Sequence, residues 1–179
     1  EFHRLRQRHP SRVQFAGNGA LLDRARASGA LAGIPGIEGG HSIENSLDEL
    51  DWFFERGVRV LTLVWNNHLD WIRSCQPGAG ATVPEGLSEF GRSVVRHMHQ
   101  LGMLVDLSLA GERSFYDALE ASTQPVIASH SCCKALSDHQ RNLNDEQLRA
   151  LAQQGGVVGI VFCTPFLCVA AGAEDRRLR

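Results

Sequence analysis

Short apolar runs alternate with amphipathic segments along most of the chain. Five of these runs predict buried strands, and they cover residues 31–37, 58–64, 103–107, 125–129 and 157–162. Each run is continuously apolar instead of alternating between apolar and polar positions, which is typical of parallel strands covered on both faces. The pattern therefore predicts an α/β fold with a parallel sheet.

The segments between these runs have helical periodicity. Between residues 43 and 55, the apolar side chains of Ile43, Leu47, Leu50 and Phe54 recur every three or four positions, which places them on one helix face. The alternation of strands and helices predicts about five βα units. Further helices are predicted over residues 20–28, 89–101, 112–122 and 145–154.

The composition along the chain divides it into three parts. Residues 1–30 are polar and basic and are expected to form a helical lead-in. Residues 31–168 hold all the predicted strands and form the main domain, whereas the charged residues 169–179 are expected to be a frayed tail. Within the main domain, residues 65–86 make an unusually long connection, and long connections of this kind are often functional.

Overall composition excludes several classes of protein. A chain of 179 residues suits one domain, and 43% hydrophobic with 21% charged residues is typical of a globular protein. The net charge of -2 argues against a nucleic-acid partner held by charge, and no apolar stretch is long enough to span a membrane. Five cysteines without framework spacing and no visible leader predict free thiols and a cytoplasmic location.

Polar side chains follow several predicted strands at the point where each strand ends. Glu38 follows the first strand, Trp65 and Asn66 follow the second, Asp106 lies near the end of the third, and His130 follows the fourth. The carboxyl ends of parallel strands meet at one edge of a sheet, where sites of α/β folds are built. A carboxylate and an imidazole at that edge indicate a metal or acid–base site.

Each of these residues also has a purely structural interpretation. Glu38 could be a helix-start carboxylate, and His130 could be a hydrogen-bonded structural histidine. Arg141 could lie in a solvated loop, or it could hold a substrate carboxylate through forked hydrogen bonds. Nucleophilic catalysis by His130 with Ser129 or Ser131 is disfavoured, because no G-x-S-x-G motif is present and adjacent residues on a strand point apart.

Several short motifs occur together in a characteristic order and spacing. Taken together, over about residues 3–168, they resemble the membrane (renal-type) dipeptidase family of zinc peptidases. The motifs are IEGGH at 37–41, LTL at 61–63, GLSEFG at 86–91, LVDLS at 104–108, PVIASHS at 125–131 and RN at 141–142.

The resemblance implies a (β/α)8 barrel, of which this chain would carry a partial barrel over residues 31–168. It also implies hydrolysis of dipeptides by a hydroxide that bridges two zinc ions. By resemblance, Glu38 matches the bridging, catalytic glutamate and His130 matches a zinc-binding histidine. Arg141 matches the arginine that grips the substrate carboxylate, with Trp65 and Asn66 as further substrate-binding residues. A homodimer is a possible assembly.

The sequence departs from the family pattern at several ligand or substrate positions. Leu109 stands where a second zinc-binding histidine is expected, and Trp65 where a histidine contacts the reacting carbonyl. Nothing upstream of Glu38 matches the expected His-x-Asp pair. We therefore expect a zinc dipeptidase that is partial or impaired in this chain. The alternative is a non-catalytic scaffold or small-carboxylate-binding module that keeps Arg141.

Overall fold

Parallel strands and helices alternate along the residues that the computed structural model describes, 1–78 and 83–168. The expected tail, 169–179, lies outside the described residues. The strands are β1 Val13–Phe15, β2 Leu31–Gly33, β3 Gly36–Glu38, β4 Val60–Thr62, β5 Leu104–Asp106, β6 Ile127–Ser131 and β7 Val157–Ile160. The helices are α1 Phe2–Arg8, α2 Gly19–Ala27, α3 Leu47–Glu55, α4 Glu89–Leu101, α5 Glu112–Ala121, α6 Asp145–Gln153 and α7 Thr164–Leu167.

The main sheet contains five parallel strands in the order β3-β4-β5-β6-β7. Each strand therefore lies beside its neighbour in sequence, which is the arrangement of successive βα units in a barrel. The register places Glu38 beside Thr62 and Thr62 beside Asp106, so the carboxyl ends of three strands are level. The predicted α/β fold with parallel strands is confirmed.

The run at residues 31–37 forms two strands, and the prediction of one strand is wrong. β2 pairs with β1 in a separate two-stranded sheet, whereas β3 joins the main sheet. Pro35 lies between them, and proline interrupts a ladder because it has no N–H to donate. The expected helical lead-in, 1–30, also contains β1, which pairs across the expected boundary at residue 31.

Side-chain caps and apolar burial explain why the helices begin and pack where they do. Ser46, Ser88 and Asn144 each accept a hydrogen bond from a backbone N–H in the first turn of α3, α4 and α6. No helix in the described residues is long and apolar enough to cross a membrane. The helices cover a core of fully buried strand and helix side chains that includes Leu50, Leu61, Leu63, Val94, Met98, Val105 and Phe115.

Two glycines turn the chain directly after Glu38. Gly39 has φ +103°, a conformation that side chains rarely adopt. At Gly40 a Cβ atom would lie 2.5 Å from the carbonyl oxygen of Leu63 and would overlap the ring of Trp71. The double glycine therefore lets the backbone pass close to β4, while Glu38 remains at the carboxyl edge of the sheet.

A β-bulge in β6 changes the direction of two neighbouring side chains. Ala128 pairs with Val158 and Ser131 with Ile160, so Ser129 and His130 together lie opposite the single residue Gly159. The expectation that Ser129 and His130 point apart is wrong, because the bulge breaks the alternation of the strand. The Ser129 Oγ lies 2.7 Å from the Nδ1 atom of His130.

We predict that Gly159→Ala destabilises the chain by disturbing this bulge. The added Cβ would overlap the carbonyl oxygen of Ser129, which is backbone and cannot rotate away. Urea unfolding should show a free energy of unfolding lower by about 1–3 kcal/mol. Gly19→Ala is the matched control, because a Cβ there meets nothing within 4 Å. Equal stability of the two variants would contradict the prediction.

Candidate active site

A buried carboxylate connects three neighbouring strands at the carboxyl edge of the main sheet. The Asp106 side chain is 1% exposed. Its Oδ1 accepts hydrogen bonds from the backbone N–H groups of Ser108 at 3.0 Å and Ser129 at 2.9 Å. Its Oδ2 accepts from the Thr62 hydroxyl at 2.7 Å and from the Ser129 hydroxyl. We call these four residues the Asp106 network.

The hydrogen bonds keep Asp106 charged although it is buried. Burial by itself would raise the pKa of the Asp106 carboxyl, because desolvation disfavours the charged form. The hydrogen bonds from Ser129, Thr62 and Ser108 outweigh this effect, and the pKa lies below its ordinary value. A fixed negative charge therefore lies directly beneath the site.

The Asp106 network leads to Glu38 and His130. The Ser129 hydroxyl contacts His130 Nδ1, and the backbone N–H of His130 donates to the Ser108 hydroxyl at 3.0 Å. On the other side of the ring, His130 Nε2 lies 3.1 Å from the Glu38 carboxylate. The structure therefore brings together the carboxylate and the imidazole that the sequence analysis singled out. Both side chains are partly exposed, at 48% for Glu38 and 31% for His130.

Arg141 is buried next to this pair without a carboxylate partner. The residue is 7% exposed, and its Nη2 donates to the carbonyl oxygen of His130 at 3.3 Å. Burial lowers the pKa of the guanidinium, and the nearby Cys75, Glu38 and Asp106 partly oppose this effect. Among the described residues, no carboxylate lies within 4.0 Å of Arg141. The guanidinium can therefore bind a ligand's carboxylate by donating hydrogen bonds to it.

A cavity of about 300 Å³ lies beside Arg141. Its walls come from the long connection at residues 73–76, the chain after β5 at 107–112 and the segment at 140–144. Arg141 supplies the buried positive charge, and Leu109 contributes an apolar wall. The prediction that the long connection is functional is consistent with its place in this wall.

Trp65 and Asn66 lie outside the lining of this cavity. The Asn66 side-chain oxygen accepts a hydrogen bond from Gln76 at 3.1 Å, and Gln76 accepts one from Gln140 at 2.6 Å. Gln76 and Gln140 line the cavity, so Asn66 is connected to it through a chain of amides. Trp65 is exposed in the connection that follows β4. Their substrate-binding roles stay predictions.

The donors present suit zinc in kind but do not complete a catalytic zinc site. Carboxylate and imidazole are both zinc ligands, and the atoms of Glu38 and His130 are close enough to contact one cation. Within residues 1–78 and 83–168, no three His, Cys, Asp or Glu side chains are grouped to hold a metal. Catalytic zinc sites normally have three protein ligands.

Leu109 occupies a backbone conformation that suits other residues better. Its φ is +69°, in the left-handed region, and the side chain is 4% exposed. Asparagine, aspartate and histidine adopt this conformation several-fold more readily than most non-glycine residues. The local backbone is therefore compatible with the histidine that the family resemblance places at this position.

The sequence analysis missed the hydroxyl groups that organise the site. Thr62 ends β4, Ser108 lies shortly after β5 and Ser129 lies within β6. The hydroxyls of Thr62 and Ser129 donate to Asp106, and the Ser108 hydroxyl accepts the backbone N–H of His130. From the sequence, Asp106 was noted only as a polar residue near the end of the third predicted strand. The recurrence of a small hydroxyl residue near the ends of three successive predicted strands, 58–64, 103–107 and 125–129, is the signal that could have identified the network.

We predict that Asp106→Asn destabilises the chain in a pH-dependent way. The amide leaves donors unmatched, so urea unfolding at pH 7 should show a loss of about 1–3 kcal/mol. Because the folded pKa of Asp106 is depressed, its stabilisation is present above the ordinary pKa of about 4 and lost as pH falls through the folded value. The difference between the two proteins should therefore shrink on acidification.

The exposed residue Asp138 provides the control for this measurement. Its carboxylate lies 3.9 Å from Lys134 and has no role in the Asp106 network. Asp138→Asn should change the free energy of unfolding by less than about 0.5 kcal/mol at either pH. An Asp106→Asn loss that is the same at pH 7 and at pH 3 would contradict the prediction.

Comparisons with known proteins show which family and which structures the chain is similar to. The model of the membrane dipeptidase family (peptidase family M19) matches residues 1–176. An uncharacterized dipeptidase of Schizosaccharomyces pombe is 37% identical over 142 residues, which are 79% of this chain and 34% of that protein.

Solved structures are similar over most of the chain. The probable dipeptidase PvdM from Pseudomonas aeruginosa has a TM-score of 0.87 at 26% identity, covering 93% of this chain and 42% of its own. A metallopeptidase from Rhodobacter sphaeroides, bound to a phosphinate mimic of the dipeptide L-Ala-D-Ala, has a TM-score of 0.80 at 32% identity. That match covers 88% of this chain and 45% of the other. The chain thus spans about a third to a half of the length of these relatives.

Proposed function

Because the chain belongs to the membrane dipeptidase family, we propose that it forms part of the active site of a zinc-dependent dipeptidase. The observation that carries the proposal is the separation of 3.1 Å between the Glu38 carboxylate and His130 Nε2 at the carboxyl edge of the sheet. The family match over residues 1–176 supports hydrolysis of dipeptides as the activity.

Glu38 and His130 are the residues of this chain that would hold zinc, and the family resemblance implies two ions. Zinc, when bound, lowers the pKa of a water molecule so that hydroxide is available near neutral pH to attack a peptide carbonyl. Glu38 supplies a carboxylate with two oxygens, which can contact two cations. The Asp106 network holds His130 in place through Ser129 and Ser108.

Arg141 would bind the C-terminal carboxylate of the substrate. It is buried beside a cavity of about 300 Å³, which suits a ligand of a few residues. Trp65 and Asn66 would border the substrate from the connection after β4. The dipeptide mimic bound to the Rhodobacter sphaeroides metallopeptidase supports a dipeptide as the substrate class.

We propose further that hydrolysis by this chain alone is impaired. Leu109 provides no ligand, and two donors hold zinc more weakly than three. The free state of Cys75, Cys132, Cys133, Cys163 and Cys168 supports a reducing compartment, and a cytoplasmic location stays a proposal. A homodimer is likewise a proposal.

Zinc binding and hydrolysis of Ala-Ala by the purified chain test the proposed function. We expect zinc-dependent hydrolysis at a low rate and a further loss in Glu38→Gln, which keeps the shape of the side chain but removes its charge. Glu44→Gln is a control outside the site. Hydrolysis that is equal in the chain and in Glu38→Gln, or that is independent of zinc, would contradict the proposal.

Leu109→His tests whether the missing ligand limits zinc binding. A third donor should tighten zinc binding by at least about tenfold, because removal of groups that merely support a ligand already costs 10–100-fold. Leu109→Asn is the matched control, because asparagine also adopts the left-handed backbone but does not supply an imidazole. Equal zinc affinity of these two variants would show that position 109 does not reach the metal.

The alternative function is a non-catalytic module that binds small carboxylates. The buried Arg141 without a carboxylate partner and Leu109 at a ligand position favour it. Such a module would bind Ala-Ala in the presence of a chelator and lose binding in Arg141→Gln, without hydrolysis at any zinc concentration. Dipeptide hydrolysis that requires zinc would exclude this alternative.

A further inference from the structure

We infer that Asp106 and Ser129 act as a positioning pair that fixes the ring proton of neutral His130 on Nδ1 and leaves the Nε2 lone pair facing Glu38. The inference assigns a role to two residues beneath the site, and it follows from the hydrogen bonds around an ionised Asp106. Its consequence for zinc binding rests on the proposed function.

The first step is the set of hydrogen bonds at Asp106. An ionised carboxylate only accepts, and backbone N–H groups only donate, so the bonds from Ser108 and Ser129 to Oδ1 have a fixed direction. The lowered pKa of Asp106 supports the ionised form. The hydroxyls of Thr62 and Ser129 must therefore donate their protons to Oδ2.

The second step is the proton balance at Ser129. A serine hydroxyl has one proton, and in Ser129 that proton is donated to Asp106. The Ser129 oxygen can then only accept from His130 Nδ1, which lies 2.7 Å away, so Nδ1 must bear a proton. An unprotonated Nδ1 would place two acceptors in contact.

Ser108 reinforces this direction. Its hydroxyl oxygen accepts the backbone N–H of His130 at 3.0 Å, and its own proton is directed toward the Ser129 oxygen at 3.4 Å. The Ser129 oxygen thus accepts a short hydrogen bond from Nδ1 of His130 and a longer one from the Ser108 hydroxyl. The ring and the backbone of His130 are both tied to the same network.

The bulge in β6 is what makes the pairing possible. In a regular strand the side chains of Ser129 and His130 would point to opposite faces of the sheet. Here both lie opposite Gly159, and the Ser129 hydroxyl reaches the ring of the next residue. Because serine directly precedes histidine in the bulge, its hydroxyl can position the histidine ring.

The consequence appears at the other ring nitrogen. With the proton on Nδ1, the lone pair of Nε2 faces the Glu38 carboxylate oxygen at 3.1 Å. Two acceptors at this distance repel each other unless a positive charge lies between them. The positioning pair would therefore make the Glu38–His130 pair a receptor for a cation, as histidine ligands with a hydrogen-bonded second nitrogen are in metal sites.

Long-range ¹H–¹⁵N correlation NMR of the zinc-free chain at pH 9 tests the inference, because it distinguishes the two neutral imidazole tautomers. The His130 signals are assigned by their loss in His130→Gln. We expect the Nδ1–H tautomer to exceed the Nε2–H tautomer by at least about tenfold, because an unprotonated Nδ1 would leave no proton between the ring nitrogen and the Ser129 oxygen. A dominant Nε2–H tautomer in the unmodified chain would overturn the inference.

Variants separate a positioning role from general support of the fold. Ser129→Ala should shift the tautomer ratio at least about fivefold toward Nε2–H, and Ser129→Thr should keep the original ratio. Thr62→Val is the matched control: it also removes a hydroxyl donor of Asp106, but one that does not contact His130. The same ratio in Ser129→Ala and Thr62→Val would overturn the inference. Should Ser129→Ala fail to fold, the ratios in the unmodified chain and in Ser129→Thr still decide.

Zinc titration of the same proteins distinguishes this inference from the proposed function. We expect Ser129→Ala to bind zinc 10–100-fold more weakly than the unmodified chain. An Nδ1–H tautomer together with no zinc binding by the unmodified chain would refute the zinc proposal and leave the positioning role supported. Zinc binding together with an Nε2–H tautomer would refute the positioning role alone.

Discussion

The charge of Asp106 is the constraint on which the candidate site depends. A carboxylate buried this deeply is stable only when its oxygens are fully hydrogen-bonded, and here the donors come from β4, from β6 and from the chain after β5. The same bonds that satisfy the charge align three strand ends and orient Ser129. The hydrogen bonds that Asp106 requires therefore also position the functional groups of the site.

Two local backbone features bring Glu38 and His130 together at the aligned strand ends. The double glycine after β3 keeps Glu38 at the sheet edge, and the bulge opposite Gly159 turns His130 toward it. Without both features, the alternation of side chains along parallel strands would leave the carboxylate and the imidazole apart. Arg141 then adds a buried positive charge next to a cavity. The site therefore offers Glu38 and His130 to a cation and Arg141 to an anion.

The features that could be predicted are those with a strong local or topological signal. Continuous apolar runs predict parallel strands because both faces are buried, and the rule that strand ends share one edge placed Glu38 near His130. The separation of β2 from β3 could not be predicted from apolarity, since the same apolar residue stands at positions 34 and 37. Only Pro35 indicates that the strand is interrupted there. The contact between Ser129 and His130 depends on the register of β6 with β7, and the left-handed backbone of Leu109 depends on a turn. The residue types at these positions therefore do not predict either feature.

Hydrogen bonds link the buried charge of Asp106 to the paired carboxylate and imidazole of Glu38 and His130, which we propose as ligands of a cation. Crystals of the chain grown with zinc, measured at the zinc absorption edge, test this link most directly. The account predicts an anomalous peak in contact with both the Glu38 carboxylate and His130 Nε2, about 2.0–2.2 Å from each. Zinc bound only at cysteines or at other histidines, with Glu38 and His130 free of metal, would contradict it.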